Sequence, residues 1–164
     1  MDKQHKSDKL RGLNLNIVKT AGLRQKEKLL ALWERLKLVV KAHDSAYDLT
    51  SVQVNKNFSG DVHVDRNDTM YQYALSLGDF TSGGHLVMST DDPYMYVKND
   101  TRGRLTRCDG RHPHWVTQHQ GGDRYSLVFY KITGKRTPRG SNQPHRSVRC
   151  GRASDFGQDD HPAS

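Results

Sequence analysis

His63 and Asp65 stand two residues apart in Asp61-Val62-His63-Val64-Asp65, a stretch whose alternation predicts a β-strand. On a strand, side chains two apart share a face, so an imidazole and a carboxylate project together while Val62 and Val64 point the other way. Such a pair suits a metal ion as two of its ligands. A third ligand must come from elsewhere, and His85, His112, His114 and His119 are the candidates. His114 lies in the strand-like His114-Trp115-Val116, 49 residues beyond Asp65. Two imidazoles and one carboxylate on one side of an ion leave its remaining coordination positions open to reactants.

A second feature is the run Arg124-Tyr125-Ser126-Leu127-Val128-Phe129-Tyr130. Arg124, Ser126 and Val128 share one face of this predicted strand, and Tyr125, Leu127 and Phe129 share the other. Burying the strand sets Arg124 beside the core or a cavity. A buried guanidinium needs an anion of matching two-oxygen geometry, and Ser126 on the same face can add a hydroxyl. An internal ion pair with an aspartate, or a side chain that reaches water from the strand end, would satisfy the same arginine. Gln53, Asn55 and Asn57 share a face of the strand before His63, and Tyr71 and Tyr73 share a face of theirs. Both sets are cavity candidates, with backbone-satisfying amides and core packing as the competing roles.

The elements that must position these groups are legible in the hydrophobic period. From about Arg24 to His43, Leu29, Leu32, Trp33, Leu36, Val39 and Val40 recur at steps of three and four, which predicts one amphipathic helix with a buried stripe and a basic outer face. After Asp44 the period becomes two. Predicted strands fall at Ser51–Asn55, Asp61–Asp65, Tyr71–Leu77, Leu86–Met88, Tyr94–Val97, Leu105–Cys108, His114–Thr117 and Arg124–Ile132, separated by turns such as Ser82-Gly83-Gly84 and Gly121-Gly122-Asp123. Such short strands and frequent turns predict a sandwich, barrel or jelly roll.

Composition sets the outer limits. The chain has 164 residues, 34% hydrophobic and 27% charged, enough for one domain with a core. Its net charge of +8 is unevenly spread: residues 1–41 hold 11 Lys/Arg against 4 Asp/Glu, residues 42–134 hold 9 against 11, and residues 135–164 hold 6 against 3. The basic ends could carry phosphate contacts or could be solvated tails, so nucleic acid is one conceivable partner. Two cysteines, Cys108 and Cys150, make neither a disulfide framework nor a four-cysteine zinc site. No secretory signal and no membrane-spanning run is read, which sets cytoplasm or nucleus as the expected location.

Taken in order, His63-x-Asp65, Gly78-Asp79-Phe80, Gly83-Gly84-x-Leu86, Asp109-Gly110-Arg111-His112-Pro113-His114-x-Val116 and Gly122-x-Arg124-Tyr125-Ser126-Leu127-Val128 resemble the Fe(II)/2-oxoglutarate-dependent dioxygenases. The resemblance spans about residues 47–133. The Arg-x-Ser-Leu-Val-Phe-Tyr strand is similar to the TET/JBP-type nucleic-acid base oxygenases, while the ten residues from His114 to Arg124 are closer to the prolyl-hydroxylase-like branch.

The resemblance implies a mainly β fold, the double-stranded β-helix or jelly roll. Composition and hydrophobic period predict a flexible segment over 1–20, a supporting helix over 21–43 and a disordered basic tail over 135–164, around 44–134, which the resemblance makes the oxygenase core. The resemblance implies Fe(II) held at the catalytic centre by His63, Asp65 and His114, with His114 preferred to His112 because it fits the family's His-x-Val pattern. Arg124 would pair with the distal carboxylate of 2-oxoglutarate, assisted by Ser126, with Asn55 and Tyr73 as further contacts. Dioxygen would be the other co-substrate, succinate and CO2 the by-products, and ascorbate a reductant. The hydroxylated substrate stays open among a protein side chain, a nucleic-acid base and a small molecule. The competing expectation is a catalytically inactive or truncated β-helix domain that binds a partner or nucleic acid through its basic ends.

Overall fold

The computed structural model describes residues 8–9, 13–14, 23–92, 94–142 and 149–152. The chain forms β1 (Asp8–Lys9), β2 (Leu13–Asn14), α1 (Leu23–His43), β3 (Ser51–Lys56), β4 (Gly60–His63), β5 (Gln72–Gly78), β6 (Ser82–Gly83) and β7 (Leu86–Ser89). It continues with β8 (Met95–Asn99), β9 (Thr106–Cys108), β10 (His114–Val116), β11 (His119–Gln120), β12 (Arg124–Tyr130) and β13 (Arg149–Arg152). One sheet has the order β1-β3-β12-β5-β9, with β2 also paired to β3; the other has the order β13-β8-β7-β10-β4; β6 and β11 form a small pair. All these strand pairs are antiparallel. From β3 to β12 the chain crosses repeatedly between the two large sheets, which is the winding of a jelly roll.

Strands β3, β5 and β12 of the first sheet sort their side chains by parity. Val52, Tyr73, Leu127 and Phe129 face α1, where Trp33, Leu36 and Val40 complete the larger core with Tyr47 and Leu49. Gln53, Asn55, Gln72, Ala74, Arg124, Ser126 and Val128 turn to the other face, across which lie Leu86, His114 and Val116 of the second sheet. Ala74, Leu86, Met88 and Cys108 form a smaller core between the sheets.

The helix buries a narrower stripe than its apolar content suggests. Trp33, Leu36 and Val40 are buried and Leu29 is partly buried, at helical steps of four, three and four. Leu32 and Val39 precede Trp33 and Val40 by one residue, a rotation of about 100° that carries them off the contact, and they are exposed. At the helix end, Asp44 accepts hydrogen bonds from the hydroxyls of Tyr71 (2.8 Å) and Tyr73 (2.9 Å). Those two bonds hold its carboxyl below the usual carboxylate range. Tyr47, fully buried, donates to the carbonyls of Tyr71 and Phe129. Tyr73 therefore fastens the helix to the outer face of the sheet, and the expectation that it contacts a co-substrate in the cavity is corrected.

The first part of the expected tail is packed. Arg111 is almost fully buried and pairs with Asp109 (2.6 Å). It also donates to the carbonyls of Thr137 (2.7 Å) and Pro138 (3.0 Å). Gly140 donates to Asp109, and the buried Asn142 accepts from the Asp109 backbone N–H while donating to the Ser89 carbonyl. These polar contacts replace the apolar pattern whose absence suggested disorder after Gly134. Likewise β13 pairs with β8, and β1 and β2 pair with β3. The rest of the expected flexible ends, residues 1–7, 10–12, 15–20, 143–148 and 153–164, lies outside the described residues. Among the described residues, no helix is long and apolar enough to cross a membrane.

Candidate metal centre

β4 ends at His63 and β10 begins at His114, and the register places these two residues opposite each other on neighbouring strands. Directly opposed side chains lie close together on one face, and the two rings are 4.2 Å apart between centroids. Asp65 is not on the strand with His63, as the alternation predicted. It lies just beyond, where its backbone N–H donates to the Gly110 carbonyl (2.8 Å). Its carboxylate nonetheless reaches both imidazoles, at 3.9 Å from His63 Nε2 and 3.5 Å from His114 Nε2. One ligand atom from each of the three residues lies within 4.8 Å of the others.

The surroundings orient these groups as metal ligands would be oriented. His63 Nδ1 lies 2.9 Å from the Asp61 carbonyl, and His114 Nδ1 lies 2.9 Å from the His112 carbonyl. Each Nδ1 thus donates its proton to backbone and leaves the Nε2 lone pair aimed at the shared space, the arrangement that fixes a ligating tautomer. Burial holds the His114 imidazole below its ordinary value, which keeps it neutral, while Asp65 opposes that shift. Gln72, buried on β5, donates to Asp65 Oδ2 at 3.2 Å. The donor set of two imidazoles and a carboxylate, with backbone and amide partners behind it, fits a first-row divalent ion.

Beyond the triad, the cavity between the sheets has a volume of about 660 Å³. Arg124 projects into it with 2% exposure, and its Nε and Nη1 have no hydrogen-bond partner. Burial pushes its guanidinium down to about 10, opposed by Asp100. Its backbone is fixed by Asn57, which accepts from the Arg124 N–H (2.7 Å) and donates to Asp123. Asn57 is therefore spent on the strand start. Ser126 and Asn55 line the same cavity as Arg124. Gly84 makes room for the arginine: a Cβ there would stand 2.6 Å from Arg124 Cδ.

Of the other histidines, His112 turns its Nε2 to the Gly140 carbonyl (2.9 Å) and is not in the triad. His119 lies on β11, edge-on to Phe80, and is not in the triad. His85 is not a member of the triad either.

Gln72 and Asp68 are cavity residues that the sequence reading did not single out. Asp68 Oδ2 is buried without a partner, and burial, reinforced by Asp65 and Asp109, pushes its carboxyl up to about 7. Gln72 could have been found: the small or polar Gln72 and Ala74 alternate with the large Tyr71 and Tyr73, which marks the first pair as the cavity face.

Comparison with known proteins found no matching family model and no matching curated protein. Among solved structures, the chain is similar to an oxidoreductase of the 2OG-Fe(II) oxygenase family from Burkholderia pseudomallei, at 20% identity and a TM-score of 0.48. The match covers 71% of this chain and 63% of the other. A likeness of that size assigns no activity, so the functional reading stands on the site's own residues.

Proposed function

We propose that the chain is an Fe(II)- and 2-oxoglutarate-dependent dioxygenase that hydroxylates its substrate with release of succinate and CO2. One observation carries this reading: the cavity that holds the His63, Asp65 and His114 donors also holds a buried guanidinium with two unpartnered nitrogens. A metal triad alone fits many chemistries. An unpaired buried cation beside it calls for an anionic co-substrate, because a desolvated charge is costly until an opposite charge meets it.

His63 and His114 would bind the metal through Nε2, and Asp65 through its carboxylate. Gln72 holds that carboxylate in orientation from behind. Arg124 would form an ion pair with the far carboxylate of 2-oxoglutarate, Ser126 would add a hydroxyl and Asn55 an amide, so that the keto-acid end faces the metal. The two sheets exclude bulk water and strengthen that ion pair. When bound, Fe(II) supplies the redox chemistry, coupling O2 reduction to decarboxylation of 2-oxoglutarate and oxygenation of a substrate C–H bond.

The test is anaerobic titration with Fe(II) and 2-oxoglutarate, followed by visible absorption. A charge-transfer band that needs both additions and is lost in His63→Ala supports the reading. Absence of the band from folded wild-type protein overturns it. Arg124→Ala should keep metal binding and raise the 2-oxoglutarate requirement by about 10- to 100-fold, the value of a charge-assisted hydrogen bond.

A further inference from the structure

Val64, Arg66, Arg111, Pro113, Arg136 and Arg139 line a second depression, of about 450 Å³. It shares Val64 and Arg66 with the main cavity, so the two adjoin beside the candidate metal ligands His63 and Asp65. Arg66, Arg136 and Arg139 are exposed, and no described carboxylate forms an ion pair with any of the three. Of the acids at this edge of the fold, Asp109 is consumed by Arg111, and Asp68, within electrostatic reach of Arg136, is buried and forms no ion pair with the cluster.

The cluster is built into the fold. Arg136 and Arg139 belong to the segment docked by Arg111, whose guanidinium holds the Thr137 and Pro138 carbonyls between them. Gly140, next to Arg139, is fixed from both sides by Asp109 and His112. Buried hydrogen bonds thus bring two cations to a third, against their mutual repulsion. An anion in the depression relieves that repulsion. One carboxylate is satisfied by a single guanidinium fork, whereas a phosphate offers further oxygens to a second and third fork.

We propose that Arg66, Arg136 and Arg139 form a phosphate-binding subsite at the cavity mouth, and that the substrate is a phosphate-bearing molecule held there while its reacting carbon enters the cavity. The link to the cavity rests on the oxygenase reading; the anion site itself does not.

Binding is therefore measured on the full chain without metal or 2-oxoglutarate. The probe is a fluorescein-labelled single-stranded oligonucleotide of about 10 nucleotides, with a mononucleotide, inorganic phosphate and a glutamate-rich peptide of equal charge as competitors. The variant R66Q/R136Q/R139Q should bind at least about 10-fold more weakly, with a shallower salt dependence. The matched variant K28Q/R35Q/K41Q removes the same charge from α1, on the far side of the first sheet, and should bind like wild type. Competition by the mononucleotide at equal affinity identifies a small phosphate ester, and competition by strands alone identifies a nucleic acid; either supports the subsite. The proposal is overturned by no phosphate-bearing ligand binding, by equal weakening in both variants, or by the acidic peptide competing as well as the phosphates. Each of those failures leaves the Fe(II) and 2-oxoglutarate titration to be judged separately.

Discussion

Gly110 has no side chain because Gln72 and Asp65 fill the space one would take: a Cβ there would lie 2.7 Å from Asp65 Oδ2 and would also overlap the Gln72 amide. Gly110→Ala should therefore dislodge the carboxylate together with the amide that orients it. Loss of an orienting partner typically costs about 10- to 100-fold in metal affinity, which calorimetry with Mn(II) would read. Gly103→Ala is the control: a Cβ there meets nothing within 4 Å, so its cost is the left-handed backbone (φ 61°) alone and falls on stability, not on metal affinity; unchanged affinity in both would sink the argument. Asp68 gives a pH signature at the same scale. Its folded value of about 7 lies above the ordinary carboxyl value, so the fold favours its protonated form. Its contribution to stability is present below the ordinary value near 4 and is lost as pH rises through 7. His114, shifted downward, works in the opposite sense: folding favours its neutral form, and stability grows as pH rises through the ordinary histidine value. Comparing melting temperatures of metal-free wild type and Asp68→Asn between pH 5 and 8 isolates the carboxyl. The variant should gain stability over wild type as pH rises, and parallel curves would refute it. The candidate ligands His63, Asp65, His114, Arg124 and Ser126 are readable from the sequence while these supporting groups are not, for a physical reason. Metal and anion ligands are scarce residue types at telling intervals, whereas the partners that orient them are ordinary polar residues whose role depends on three-dimensional neighbours.

Elements were legible where one periodicity dominated and illegible where polar contacts did the packing. The alternation in Arg124–Tyr130 located β12 and put Arg124, Ser126 and Val128 on one face, which lines the cavity. In β5, both faces are buried, so hydrophobicity alone did not say which face met α1, and Tyr73 was assigned to the wrong one. The segment over residues 137–142 carries almost no apolar residue, and what seats it is the buried Arg111–Asp109 pair. Arg111→Ala would leave Asp109 buried without its cation and free the Thr137 and Pro138 carbonyls. Removing one partner of a buried pair costs about 3–5 kcal/mol, which urea denaturation monitored by tryptophan fluorescence would measure. A loss within experimental error would mean that residues 137–142 are held by something other than this arginine. Replacing both members by apolar residues of similar volume should recover part of the loss, because the penalty comes from the stranded charge.

The sandwich divides its labour between sheets. The first supplies Arg124, Ser126 and Asn55, braced from behind by α1; the second, with the loop after β4, supplies His63, His114 and Asp65. On the proposed reading, metal and co-substrate bridge the two sheets, so occupancy should couple to the stability of the whole domain. A ligand that binds only the folded state adds about 2.7 kcal/mol at a hundred times its dissociation constant. Mn(II) should therefore raise the melting temperature alone, and 2-oxoglutarate should add a further increment only once the metal is present. Asp65→Ala should abolish both increments. Arg124→Gln should keep the first and lose the second, because the metal ligands lie on the other sheet and its loop while the carboxylate partner is gone. If the 2-oxoglutarate increment survives in Arg124→Gln, the co-substrate carboxylate is bound elsewhere, and the two sheets do not share the work in this way.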